Sequence, residues 1–300
     1  MIFDDTTWTS FRYYRSAYRN YLRVIWWIKL RRFPIQAVLR DGRTLVLQDH
    51  IEALHAAMFE ATGWPYDDRT KSVTVKPADG SRKLELVGAN LSGTPVEVFH
   101  DLEYAALDVA GRTVIDVGAS IGDSTIYFAR RGALKTIGLE PYPIPFEAAC
   151  QNVARSGLEG RIELRRALCG PKEGTAMVSS SARATDNTSA ITDHGDLATP
   201  VVTLDHLASQ LSVQGGILKL DCEGGEYEIL QSTPTEALAR FDQLVVEYHD
   251  GVKGLADRLA LAGFSIKMFH VRKVRGHEVG LILAENRHPT RGELSPVRLE

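Results

Sequence analysis

The 300-residue sequence predicts an α/β fold, a mostly parallel sheet flanked by helices, behind an N-terminal extension of a helix and short strands. Three observations carry this prediction. Residues 114–124 (VIDVGASIGDS) read as a buried strand, a glycine-rich turn and the start of a helix, and the apolar run 136–139 that follows ends on Glu140. From residue 113 to residue 284, apolar runs of strand length alternate with helical patterns, the order that builds a parallel sheet from crossover units. Carboxylates recur where those strands end, at Asp116, Glu140, Asp221 and Glu247.

Each element follows from local pattern. Residues 1–10 read as a loose terminus. Residues 11–30 read as one helix, with Arg12, Arg15, Arg19 and Arg23 at helical spacing and Tyr18, Leu22, Ile25, Trp26 and Ile28 as an apolar, aromatic surface. Residues 36–47 form a hairpin turning at Asp41-Gly42, 50–62 a helix, 63–80 a polar, turn-rich stretch and 83–87 a strand. Together, residues 1–90 make an accessory extension. The domain proper runs over 91–290 and leaves 291–300 as a tail. It begins with a helix over 95–109 and the strand 113–117. A helix over 123–131 stops at Gly132, and strand 136–139 follows. The next helix, 146–156, stops at Gly157 and leads to strand 161–167. Residues 170–200, rich in Ser, Thr and Ala, read as a solvated loop with a hairpin. Strand 201–204, helix 204–211, strand 216–220 and a helix from Glu226 come next, then strand 243–247 with Tyr248, His249 and Asp250 behind it. A helix over 251–262 closes at Gly263, and 264–269 and 278–284 are the last strands.

Composition bounds the function. With 44% apolar and 24% charged residues, the chain can bury a sizeable core. The net charge of −3 hides an asymmetry: residues 11–33 carry seven Lys and Arg and no acid, so the remainder is acidic. That argues against a catalytic face for nucleic acid. Cys150, Cys169 and Cys222 are far apart and lack metal spacing, which suggests a reducing, cytoplasmic compartment. No leader peptide is expected, and the apolar patch 24–28 is too short to span a bilayer. The basic aromatic helix has two readings: it docks on its own domain or a second subunit as a homodimer, or residues 11–32 lie on a membrane surface.

The turn Gly118-Ala119-Ser120-Ile121-Gly122 lacks the three glycines of a dinucleotide fingerprint, and no phosphate-cradling lysine loop is present. An acid just before the turn suits a cationic ligand, and S-adenosylmethionine carries an ammonium and a sulfonium. The stretch VIDVGASIGDS with GLEPYP resembles the first two motifs of class I S-adenosylmethionine-dependent methyltransferases. The stretch VVTLDHL…ILKLDCEGGEYEIL…LVVEYHD resembles their FkbM-like branch. The resemblance runs from about residue 97 to the strand before Asn286. It implies a Rossmann-like class I methyltransferase fold with a seven-stranded sheet whose final pair includes an antiparallel strand. It also implies O-methylation of a sugar, glycan, lipid-linked saccharide or natural product.

Position then assigns roles. Gly118, Ala119 and Gly122, flanked by Ser120, Asp123 and Ser124, line the methionine part of the cofactor, and Asp116 lies beneath the turn. Glu140 holds the ribose. Pro141 and Tyr142 on one side and Ala167 and Leu168 on the other border the adenine. Tyr104 lies where family members place residues near the cofactor, and Asn187 and Ser189 are candidate contacts from the polar loop. Asp221 at the end of its strand is also a candidate cofactor contact. An alcohol acceptor needs a base, for which His249 is first choice ahead of Asp221, Glu223 and Glu247. The alternative for Glu223 and Glu226 is complementing a helix dipole. Asp221, Glu247, His249 and Asp250 would suit Mg²⁺, although no metal is expected. An NAD(P)-dependent oxidoreductase is the rival enzyme class, and an amine remains open as acceptor.

Overall fold

A computed structural model describes residues 5–182, 195–249, 251–252, 254–274 and 277–289. The extension comprises α1 (Asp5–Ala17), α2 (Tyr21–Lys29), β1 (Ile35–Val38), β2 (Thr44–Leu47), α3 (His50–Ala61), β3 (Tyr66–Asp67), β4 (Ser72–Val75) and β5 (Leu84–Val87), and α4 (Thr94–Phe99) follows it. The single helix expected over 11–30 is two. The Asn20 side chain accepts from Val38 N–H and donates to the Gln36 carbonyl, Tyr18 bridges to Leu39, and these ties to a distant hairpin break the helix. The turn-rich stretch holds β3 and β4, which pair with each other and with β5 as a small antiparallel sheet. The helix expected over 95–109 ends at Phe99. Its carbonyl there accepts from Ala78 N–H, and Leu102 turns the chain with a φ of 56°.

The core follows the predicted alternation: β6 (Thr113–Val117), α5 (Asp123–Arg130), β7 (Lys135–Leu139), α6 (Pro143–Ser156), β8 (Ile162–Arg165), β9 (Leu168–Cys169), β10 (Gly174–Val178), β11 (Leu197–Val202), α7 (Leu204–Gln210), β12 (Gly216–Leu220), α8 (Glu226–Ser232), α9 (Thr235–Leu238), β13 (Phe241–Tyr248), α10 (Leu255–Leu261), β14 (Phe264–Val274) and β15 (His277–Asn286). Seven strands form one sheet in the order β14-β15-β13-β12-β6-β7-β8. Neighbours from β13 to β8 are parallel, and β15 alone runs antiparallel to both its partners. This is the Rossmann-like class I methyltransferase architecture. The strands β6 and β12 are apolar nearly throughout because helices cover both faces. From β6 the chain winds outward through β7 and β8, then returns to β12 on the other side. The crevice at that reversal is where an open α/β sheet takes its ligand. The long polar stretch folds back as β10 and β11, with β11 running parallel to β9. Asn187 and Ser189, Asp250 and the tail 291–300 lie outside the described residues.

The extension shares a core with the sheet. Tyr18, Phe59, Trp64 and Phe99 belong to the same buried cluster as Val114, Phe128 and Ile217. Buried Asn152 on α6 links the two parts. Its Oδ1 accepts from Val87 N–H at 2.8 Å, and its Nδ2 donates to the carbonyls of Val87 at 3.0 Å and Ile121 at 2.8 Å.

Candidate active site

The turn after β6 sets one wall of the site. Gly118 has a φ of +82°, and a Cβ there would lie 1.7 Å from the Asp221 carbonyl oxygen, so β6 and β12 can close up only around glycine. The N–H groups of Gly118 and Ala119 donate to the Leu139 carbonyl at 3.0 and 2.9 Å. Glu140 sits one residue beyond. Its Oε2 accepts from Ser120 N–H at 3.0 Å, and its Oε1 accepts from Tyr142 N–H at 2.9 Å. Burial pushes the Glu140 carboxyl up to about 8, although both amides pull the other way.

These groups open on a cavity of about 730 Å³. Of the expected cofactor contacts, Gly118, Ser120, Glu140, Pro141, Tyr142, Ala167, Leu168 and Asp221 lie on its wall. The others do not, each for a local reason. Asp116 is fully buried below the turn, where its Oδ2 accepts from the hydroxyls of Ser124 and Thr125 at 2.7 Å each. Ser124 is spent on that bond. Asp123 accepts from the Thr94 hydroxyl at 2.6 Å, which ties α4 to the start of α5, and burial raises its carboxyl to about 6. Ala119 is buried, and Gly122 packs 3.2 Å from Ala149 as judged from its virtual Cβ. Tyr104 packs its ring 5.4 Å from Phe128 inside the core.

Lys219, in the middle of β12, was not among the predicted site residues. It stands opposite Asp116 in the β6–β12 register, with its Nζ 3.2 Å from Asp116 Oδ1 and 3.4 Å from Asp221 Oδ2. Burial alone would drive its proton off, but the two carboxylates hold its pKa above the usual lysine range. A charged residue inside the apolar run ILKL was the available signal.

The loop after β12 carries the acidic end of the site. Glu226, buried at the start of α8, accepts from the N–H groups of Cys222 at 2.6 Å and Gly224 at 2.9 Å. That fixes the loop with Glu223 at a φ of +60° and on the cavity wall. Glu226 is therefore the loop's anchor as well as an acid in the first turn of α8. Burial and the nearby Asp221 raise Glu223 to about 7. His249, expected to be the base, sits behind it and off the wall: Nε2 is 3.5 Å from Glu223 Oε2, and Nδ1 is 3.7 Å from Glu226 Oε1. Burial disfavours the imidazolium, yet Glu226 and Glu223 outweigh burial and raise the His249 pKa. Glu247 is also off the wall, and burial followed by Asp221 raises its carboxyl well above the usual range. Asp221, Glu247 and His249 each bring one ligand-capable atom within 4.8 Å of the others, a spacing that a divalent cation could share. Lys219 already supplies positive charge beside Asp221.

The extension and α4 form the facing wall. His55 and Met58 of α3, Ser92, and Thr94 and Glu97 of α4 line the cavity, although nothing in their sequence pattern marked them. The cavity has the size of a small-molecule site. The buried Ser120 hydroxyl has no hydrogen-bond partner among the described residues, and two amides hold a carboxylate at the end of β7. The site therefore fits S-adenosylmethionine. The Gly118–Ser120 turn would hold the amino-acid part, Glu140 the ribose hydroxyls, and Asp221 would counter its positive charge.

A family profile described as Methyltransferase FkbM domain matches residues 116–266. The chain is 34% identical over 114 residues to the ribosomal protein L11 methyltransferase of Edwardsiella ictaluri, covering 38% of this chain and 34% of that protein. The Escherichia coli (strain K12 / DH10B) protein of the same name is 34% identical over 115 residues, which is 38% of this chain and 35% of that one. The chain thus spans about a third of the length of these curated relatives. Among solved structures, M. capricolum TrmK in complex with S-adenosyl-homocysteine aligns with a TM-score of 0.41 at 14% identity, covering 65% of this chain and 71% of that chain.

Proposed function

The chain belongs to the FkbM methyltransferase family, and from that premise we propose that it O-methylates a hydroxyl of a sugar, glycan or lipid-linked saccharide, with Glu223 as the base. S-adenosylmethionine is the cofactor, and it supplies an electrophilic methyl group on a sulfonium sulfur. Glu223 carries the proposal: it faces the cavity from a loop locked by Glu226, and its carboxyl titrates near neutrality. An acceptor hydroxyl held beside it would take the methyl group that the bound cofactor supplies, the carbon–sulfur bond being the one given up. Its proton passes to Glu223, with the His249 imidazole 3.5 Å behind to stabilise the charge that moves. Alignment of acceptor and methyl group supplies much of the acceleration. The facing wall from α3 and α4 provides the surface on which an acceptor can be positioned.

The names of the curated relatives concern a ribosomal protein, and this chain spans only about a third of their length. Glu97, Asp221, Glu223 and Glu228 line this cavity, so a phosphate backbone would meet like charge, whereas a neutral polyol would find hydrogen-bond acceptors. Calorimetric titration with S-adenosylhomocysteine, beside NAD⁺, tests the cofactor. Binding of S-adenosylhomocysteine, weakened about 30-fold or more in Glu140→Ala, is expected from the loss of the carboxyl group that would hold the two ribose hydroxyls. A signal with NAD⁺ alone would turn the assignment to an oxidoreductase.

The base is tested by transfer of a labelled methyl group to saccharide, amine, RNA and protein acceptors. With the right acceptor, kcat/KM should rise with pH through about 7 as Glu223 loses its proton, then level off. Glu223→Gln should lower kcat by about 100-fold or more while leaving the affinity for S-adenosylhomocysteine unchanged. A Gln variant with wild-type kcat would remove Glu223 from the mechanism, and methylation of amine or RNA in place of the saccharide would overturn the acceptor.

A further inference from the structure

We propose that α2 is an in-plane anchor that docks the protein on an anionic lipid surface, independently of what its active site methylates. Only Val24 of α2 is buried. Leu22, Trp26 and Leu30 follow at four-residue steps and stand 65%, 61% and 46% exposed, so they form one stripe turned to solvent. Large apolar side chains placed singly on a surface need no explanation, but three in register on one helix face do. The stripe is flanked by exposed Arg19, Arg23, Lys29, Arg31 and Arg32. Among the described residues no acid forms an ion pair with any of these five, and the sequence has no Asp or Glu between Asp5 and Asp41. The Arg23 guanidinium lies 4.8 Å over the Trp27 ring, which leaves the Trp26 indole uncovered beside it.

Charge selects the occupant. A second copy docking through the same face would bring two unpaired basic clusters together, and like charges across an interface are repelled. An anionic bilayer offers both complements at once. Its headgroup phosphates take the Arg and Lys side chains, and its acyl boundary takes Leu22, Trp26 and Leu30. Tryptophan suits that depth, since its ring is apolar and its N–H is polar. Nine residues make a short helix, so the attachment is reversible and depends on the basic cluster as well as the stripe.

The test is co-sedimentation of the full chain with vesicles of phosphatidylcholine alone and of phosphatidylcholine with about 30% phosphatidylglycerol, at low and high salt. Partitioning should be about 10-fold or more stronger on the anionic vesicles and should fall with salt. A Leu22→Ser/Trp26→Ser/Leu30→Ser variant should lose binding to both compositions. An Arg23→Gln/Lys29→Gln/Arg31→Gln/Arg32→Gln variant should lose only the anionic preference. Both should keep wild-type affinity for S-adenosylhomocysteine, which shows that they fold. Absence of vesicle binding, or equal binding to neutral and anionic vesicles, overturns the proposal. A dimer that the Ser variant converts to monomers would reassign the stripe to a protein interface.

Discussion

Lys219→Met will unfold at a temperature lower by on the order of 10 °C, a loss of about 3–5 kcal/mol. The substitution keeps the apolar stem and removes the charge that faces Asp116 Oδ1 at 3.2 Å. It also removes the Nζ that donates to the Gly118 carbonyl at 2.7 Å. Asp116 keeps the hydroxyls of Ser124 and Thr125 but has no solvent to replace the lost cation. An isolated buried carboxylate is costly in a way that a neutral amide of the same shape is not. The double variant Asp116→Asn/Lys219→Met should therefore recover a large part of the loss. Thermal denaturation at neutral pH checks both proteins, and a double variant no more stable than the single one would show that charge compensation is not what Lys219 provides.

Gly118→Ala will bind S-adenosylhomocysteine about 100-fold more weakly, or not measurably. Left-handed backbone costs a non-glycine residue about 1–2 kcal/mol, but the larger effect is the approach of its Cβ to 1.7 Å from the Asp221 oxygen. Neither side can yield freely. Gly118 N–H is bonded to Leu139, and Asp221 N–H donates to the Val117 carbonyl at 3.1 Å. The ends of β6 and β12 must part, which displaces Ser120 on one wall and Asp221 on the other. Gly122→Ala is the comparison. It has the same φ of +82°, but its Cβ would meet Ala149 at 3.2 Å, which a small shift relieves. It should weaken binding less than about 10-fold. Calorimetry on both variants, with circular dichroism to verify folding, separates contact from conformation. Equal losses at the two positions would mean that backbone conformation alone sets the effect.

The sheet was legible because its strands are buried on both faces and so read as apolar runs with a carboxylate just beyond. Strand β6 was predicted to the residue, as were β12 and the helix start at Asp123. Contacts between segments distant in sequence were not legible. Asn20 breaks the first helix by bonding to Val38 and Gln36, and a helical pattern carries no trace of that partner. Glu226 looked like a charge at a helix start, and only the fold shows it accepting from Cys222 and Gly224. The cavity wall from His55 to Glu97 escaped for the same reason: these residues meet the sheet through a shared core and through contacts such as Asn152 to Val87. Where the sequence did mark a site residue and it was overlooked, as at Lys219, the sign was a charge where a strand should be greasy.

One wall of the cavity belongs to residues 55–97 and the other to the sheet, so a molecule lodged between them acts as a reversible cross-link. Its occupancy adds to the work of prising the extension from α6 by RT ln(1 + [L]/Kd). Linkage runs equally in the other direction: an outside contact that biases that same separation would change affinity inside by the same factor. A surface that seizes Trp26 and in doing so shifts that separation would be felt at Glu97 without touching it, and arrival at that surface would then retune the grip on small molecules deep in the crevice.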